Sequence, residues 1–127
     1  MNKKNIVPIV VIAVVVLAVI VLIVKPWQGN GAPSTALEEF GQCLAQKGAV
    51  MYGAEWCSHC QNEKRALGAG FKYVEYVECP DNIDVCTAKG VEGYPTWILA
   101  DGTKLVGEQG IEGLARATGC PAPSVAN

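Results

Sequence analysis

The chain has 127 residues, half of them hydrophobic, with ten Lys or Arg against twelve Asp or Glu. All twelve acidic residues but only seven of the basic ones follow Pro26, so this larger part carries a formal charge of −5, which excludes the basic surface a nucleic-acid binder needs. All six cysteines also follow Pro26, and so many in so short a stretch argue against a reducing cytosol and for an oxidising compartment.

The first residues differ from the rest. Residues 1–5 carry Lys3 and Lys4, and residues 6–24 are nineteen uncharged positions, almost all Val, Ile, Leu or Ala. As a helix they span about 28 Å, the thickness of a bilayer's hydrocarbon core. This predicts an uncleaved transmembrane anchor. The competing reading, a cleaved signal peptide, has a shorter apolar core ending in small residues, whereas Lys25-Pro26-Trp27 follows here. Lys3, Lys4 and the terminal amine outweigh Lys25, so residues 1–5 stay cytoplasmic and the remainder is exported. Pro8 falls in the first turn, where a missing backbone donor costs least. Trp27 suits the far interface or an ordinary linker, and residues 25–34, with Pro26, Gly29, Gly31 and Pro33, read as that linker.

Residues 35–120 read as one domain, with 121–127 as a tail. Thr35-Ala36-Leu37-Glu38 is a capping-box pattern opening a helix that carries Leu37, Phe40 and Leu44 and stops at Gly48. Residues 49–54 form a short apolar run, a buried strand, leading into Trp56-Cys57-Ser58-His59-Cys60 and a helix to about Gly68. Residues 73–79 are a second strand; Pro80-Asp81-Asn82 ends it and caps a short helix through Cys86 to Lys89. Residues 96–100 and 104–107 are strands joined through Asp101-Gly102, and 111–118 is a helix stopped by Gly119. Strand-helix-strand units imply parallel pairing, and the hairpin adds an antiparallel edge. The fold class is therefore α/β, a mixed sheet with helices on both faces.

The order of elements resembles the thioredoxin fold, through Cys57-Ser58-His59-Cys60 at a helix mouth and Tyr94-Pro95-Thr96 where that family carries a cis-proline. A closer resemblance is to the thioredoxin-like domain of bacterial vitamin K epoxide reductase homologues. It is carried by residues 47–57, Glu78-Cys79-Pro80 with Cys86, Gly93-Tyr94-Pro95-Thr96-Trp97 and Cys120. The multi-helix quinone-reducing part of those proteins is not in this sequence, so the resemblance implies a separate membrane partner of that type. Six residues before the first cysteine, thioredoxins carry a buried aspartate; Met51 stands there instead, which argues against thioredoxin-like reduction. The resemblance also gives Tyr94 and Pro95 the role of pairing with an extended substrate segment. Trp56 and Trp97 either flank the site as an apolar docking surface or pack in the core.

Disulfide exchange requires an accessible thiolate. Cys57, opening a helix, gains one from the positive end of the macrodipole; Cys60, one turn in, is the resolving thiol. His59, the sole histidine, favours the Cys57 thiolate if it reaches it, and otherwise is a solvated turn residue. Proteins with a histidine at this position, such as periplasmic disulfide oxidants and protein disulfide isomerases, are more oxidising than thioredoxin. The expected activity is that of a thiol-disulfide oxidoreductase donating disulfides to exported thiol-containing proteins. The Cys57–Cys60 disulfide is the redox group, with no further cofactor and no metal. A tethered reductase and a non-catalytic dithiol or metal-binding module are the alternatives. Cys79 and Cys86 lie close enough to bridge, structurally or as a second redox relay, and Cys43 pairs with Cys120 by elimination, although six cysteines permit fifteen connectivities.

Overall fold

The structure, a computed structural model, describes residues 3–23 and 32–124. The expectations for Trp27, for most of the 25–34 linker and for the end of the tail fall outside them. Helix α1 (Lys3–Ile23) runs through the apolar segment with Pro8 inside it. Its described side chains, residues 8–20, are all exposed. They reach about 20 Å against about 30 Å of hydrocarbon, and among the described residues no helix is long and apolar enough to cross a membrane.

Helix α2 (Ser34–Gln46) begins two residues earlier than a capping box at Thr35 implies, and the capping box does not form. Pro33, with φ fixed near the required value, occupies the cap position, and its carbonyl accepts the Leu37 N–H at 3.2 Å. Glu38 is drawn away instead to the Lys72 ammonium, 3.1 Å, and the Tyr73 hydroxyl, 3.2 Å. Strand β1 (Val50–Gly53) follows, then helix α3 (Ser58–Leu67) and a 3-10 turn over Gly68–Tyr73 that delays strand β2 to Glu75–Glu78. That turn packs on α2 backbone to backbone. A β-carbon on Gly41 would strike the Gly70 carbonyl, and one on Gly70 that of Leu37, so both glycines are required by close approach.

A second 3-10 turn, Cys79–Asp81, leads to helix α4 (Ile83–Ala88). Asn82 holds the cap position, but its amide donates back to the Glu78 carbonyl at 2.9 Å and caps nothing in α4. Strands β3 (Thr96–Ile98) and β4 (Lys104–Val106) form the hairpin, and helix α5 (Gly110–Thr118) ends at left-handed Gly119.

The sheet order is β2-β1-β3-β4. Strands β1 and β2 pair in parallel across the α3 crossover, as the strand-helix-strand rule implies. The second such unit departs from it: β3 lies antiparallel to β1. Helix α4 is too short to carry a crossover back over the sheet, and Cys86 is tied to the end of β2 by its bridge to Cys79.

Period-two alternation then divides β1 between two cores. Met51 joins Phe40 and Leu44 of α2, Cys60 and Leu67 of α3, Trp97 of β3 and Leu114 of α5 in the larger one. Tyr52 meets Cys79, Cys86 and Val77 on the opposite face. Helices thus cover both faces, and the larger core ends at the cysteine pair.

Candidate active site

Strand β1 delivers the chain to Ala54, whose carbonyl accepts the Cys57 N–H at 3.0 Å and closes a turn. Cys57 keeps an extended backbone and serves as the N-cap of α3, where its Sγ accepts the Cys60 N–H at 3.3 Å. A sulfur thus fills the place normally taken by a cap oxygen. Cys60 is fully buried, while Cys57 retains 8% exposure. Both are unpaired. Burial, reinforced by the Cys57 sulfur and partly offset by the Ala54 backbone and Lys64, pushes the Cys60 thiol up to about 12. The two sulfurs are therefore unequal: one at a helix N-cap, slightly exposed and accepting the Cys60 N–H, the other fully buried and firmly protonated.

Tyr94 and Pro95, joined by a cis peptide, abut the first sulfur: the Cys57 thiol donates to the Tyr94 carbonyl at 3.7 Å. Thr96 fixes this turn by donating its hydroxyl to the Gly93 carbonyl at 2.8 Å, and Gly107 N–H binds the Pro95 carbonyl at 2.7 Å. Trp56, 73% exposed, stands edge-on to the Tyr94 ring with centroids 6.0 Å apart. These two aromatics make the apolar rim. Trp97 does not share it; it is fully buried in the core, and its indole N–H donates to Glu63 at 3.2 Å.

His59 lies on the solvent side of the site. Its exposed ring faces Glu108, Nδ1 to Oε2 at 2.9 Å, and it makes no hydrogen bond with Cys57, whose sulfur is engaged by Cys60 and Tyr94 instead. Asn62 also donates to that carboxylate, and together these partners hold Glu108 below the usual carboxylate range. The carboxylate offsets whatever positive charge His59 brings.

Two carboxylates near the site were not anticipated. Glu63 lies fully buried on the same face of α3 as Cys60 and Leu67, and accepts the Gln109 and Gly110 N–H groups at 3.1 and 3.2 Å as well as the Trp97 indole. Burial raises its pKa against these hydrogen bonds. Its helical spacing from Cys60 was the available signal. Glu78 accepts the Glu55 N–H at 2.8 Å through Oε1 and the Tyr76 hydroxyl through Oε2. Nothing in the periodicity of its strand marks it.

The remaining cysteines pair as Cys43–Cys120 and Cys79–Cys86, with Cα separations of 5.9 and 5.8 Å. Cys79 and Cys86 are both buried, in the smaller core beside Tyr52. Among the described residues no cluster of three or more His, Cys, Asp or Glu side chains could hold a metal ion.

No protein-family model matches the chain. Over 81 residues it is 43% identical to the thiol-disulfide oxidoreductase LTO1 of Arabidopsis thaliana, covering 57% of this chain and 21% of that protein. It is 39% identical over 72 residues to protein disulfide isomerase-like 2-2 of Oryza sativa subsp. japonica, covering 50% and 19%. The thioredoxin domain-containing protein 5 homolog of Drosophila melanogaster is 35% identical over 78 residues, covering 51% and 18%. These likenesses support a thioredoxin-like domain within the chain. The chain spans about a fifth of the length of these curated relatives. The inequality of the two sulfurs, Cys57 slightly exposed and Cys60 fully buried, suits thiol-disulfide exchange.

Proposed function

We propose that the protein is a membrane-anchored thiol-disulfide oxidoreductase that donates its Cys57–Cys60 disulfide to exported proteins. The observation that carries this reading is the inequality of the two sulfurs, Cys57 at a helix N-cap against the Tyr94 carbonyl and Cys60 buried behind it. In the donor direction a substrate thiolate attacks Cys57, Cys60 leaves, and a second substrate thiol resolves the mixed disulfide, leaving the protein as a dithiol. Reoxidation falls to a membrane partner resembling vitamin K epoxide reductase, a reading supported by the sequence resemblance. The anchor is supported by nineteen uncharged apolar residues at positions 6–24. Two further disulfides support an extracytoplasmic site.

The second reading, a tethered reductase, is favoured by one observation: His59 is spent on Glu108 and not on Cys57. Replacing Cys60 with Ala in the full chain tests the exchange reading shared by both. The variant is expected to accumulate mixed disulfides with exported proteins through Cys57. A variant that traps none, while the wild type exchanges with no thiol either, leaves only a non-catalytic dithiol module.

A further inference from the structure

A thiol buried like Cys60 must lose its proton to attack a mixed disulfide at Cys57, because the thiolate is the nucleophile. Strand β2 supplies a route for it. Its register sets Tyr76 and Glu78 opposite Met51 and Gly53. A β-carbon on Gly53 would lie 2.8 Å from Cys60 Sγ and 3.3 Å from the Tyr76 hydroxyl oxygen, so those two atoms are at most about 6 Å apart, a span that one solvent molecule bridges. The hydroxyl donates to Glu78 Oε2 at 2.5 Å, the length of a charge-assisted bond. The other carboxylate oxygen is held by the Glu55 N–H at 2.8 Å, in the loop that leads to Cys57. The charged or titratable groups facing Tyr76 are Glu78 on β2, Cys57, Cys60 and Lys64, whose ammonium lies 3.6 Å from the ring centroid.

We propose that Glu78, acting through the Tyr76 hydroxyl, takes the proton of the Cys60 thiol as Cys60 resolves a mixed disulfide at Cys57. This rests on the exchange reading above but not on the direction of net electron flow. Cys60 forms the bond to Cys57, the bond from Cys57 to the partner sulfur breaks, and the electron pair leaves with the partner thiolate, which solvent protonates. The Cys60 proton passes to Tyr76 while the Tyr76 proton passes to Glu78. The protein dithiol is oxidised to the disulfide and the partner disulfide is reduced. When a substrate thiolate attacks Cys57 instead, Cys60 is the leaving group and the proton returns along the same path. The need is real, since burial pushes the Cys60 thiol up and keeps it protonated at pH 7.

The test uses reduced full-length protein in detergent with oxidised glutathione as probe, acid-quenched and read by mass spectrometry from pH 6 to 9. Attack by Cys57 appears as the glutathione adduct, resolution by Cys60 as its loss. Glu78→Gln keeps an oxygen for the Glu55 N–H, and Tyr76→Phe leaves the Glu78–Glu55 bond untouched. In both, the ratio of resolution to attack at pH 7 is expected to fall about a hundredfold. Resolution in the variants then climbs about tenfold per pH unit as hydroxide replaces the missing acceptor, while the wild type stays flatter. Resolution at the wild-type rate in either variant, or slowing by one constant factor at every pH, would overturn the relay. Failure of the wild type to form any adduct would instead remove the exchange reading beneath it.

Discussion

Replacing Glu63 with Ala would strip three donors of their acceptor at once: the Trp97 indole N–H and the Gln109 and Gly110 backbone N–H groups. Glu63 and Trp97 are fully buried, whereas the two backbone donors are part-buried at the start of α5. A buried donor left unpaired costs about 1–3 kcal/mol. The indole takes that in full and the backbone groups, which water can reach, take less, so about 3–5 kcal/mol is expected for the variant. That is a large share of the 5–15 kcal/mol typical of a whole domain, and at about 4–8 °C per kcal/mol for a domain this size it lowers the melting temperature by more than about 12 °C. Glu63→Gln keeps one accepting oxygen but turns an NH2 group toward a donor, and should fall between the two. Thermal unfolding of the full chain in detergent, disulfides intact, measures the effect. A Glu63→Ala variant within about 0.5 kcal/mol of the wild type, the range of an ordinary surface change, would refute the buried-cap account of α5.

Because burial raises the Cys60 thiol from 9.0 to about 12, its contribution to the reduced state is intact below about pH 9 and is lost as pH rises through 12. Reduced protein should therefore lose melting temperature above pH 9 faster than a Cys60→Ser variant, and alkylation at pH 8 followed by mass spectrometry should label Cys57 alone. Replacing Cys79 and Cys86 together with Ser should cost roughly 2–3 kcal/mol in denaturant unfolding and leave the Cys57–Cys60 potential unchanged. Mild reduction that opens Cys79–Cys86 as readily as Cys57–Cys60 would count against a structural bridge. His59→Ala should shift the potential by less than about 30 mV, one factor of ten in the exchange equilibrium, since the ring pairs with Glu108; a shift beyond about 60 mV in a glutathione titration would restore a direct hold on Cys57.

The sequence marked this site well where chemistry depends on neighbours along the chain. Cys57 as a helix N-cap, Cys60 one turn inside and the glycine stops of α2, α4 and α5 follow from local rules, and the structure sets them where spacing put them. What local rules missed depends on partners far along the chain. His59 meets Glu108 across 49 residues, Trp97 meets Glu63 across 34, and Glu78 reaches back 23 to Glu55. The capping box at Thr35 failed for the same reason, because Glu38 found Lys72 and Tyr73 instead. The reversal of β3 was hidden by treating α4 as a crossover when only six residues of it form.

The reduction potential of the Cys57–Cys60 pair in the intact chain bears most directly on disulfide donation. Equilibration with a glutathione redox series, read by alkylation and mass spectrometry, should place it near the disulfide isomerases and oxidants, about −180 to −120 mV. A value near that of thioredoxin, about −270 mV, would contradict donation and assign the site to reduction.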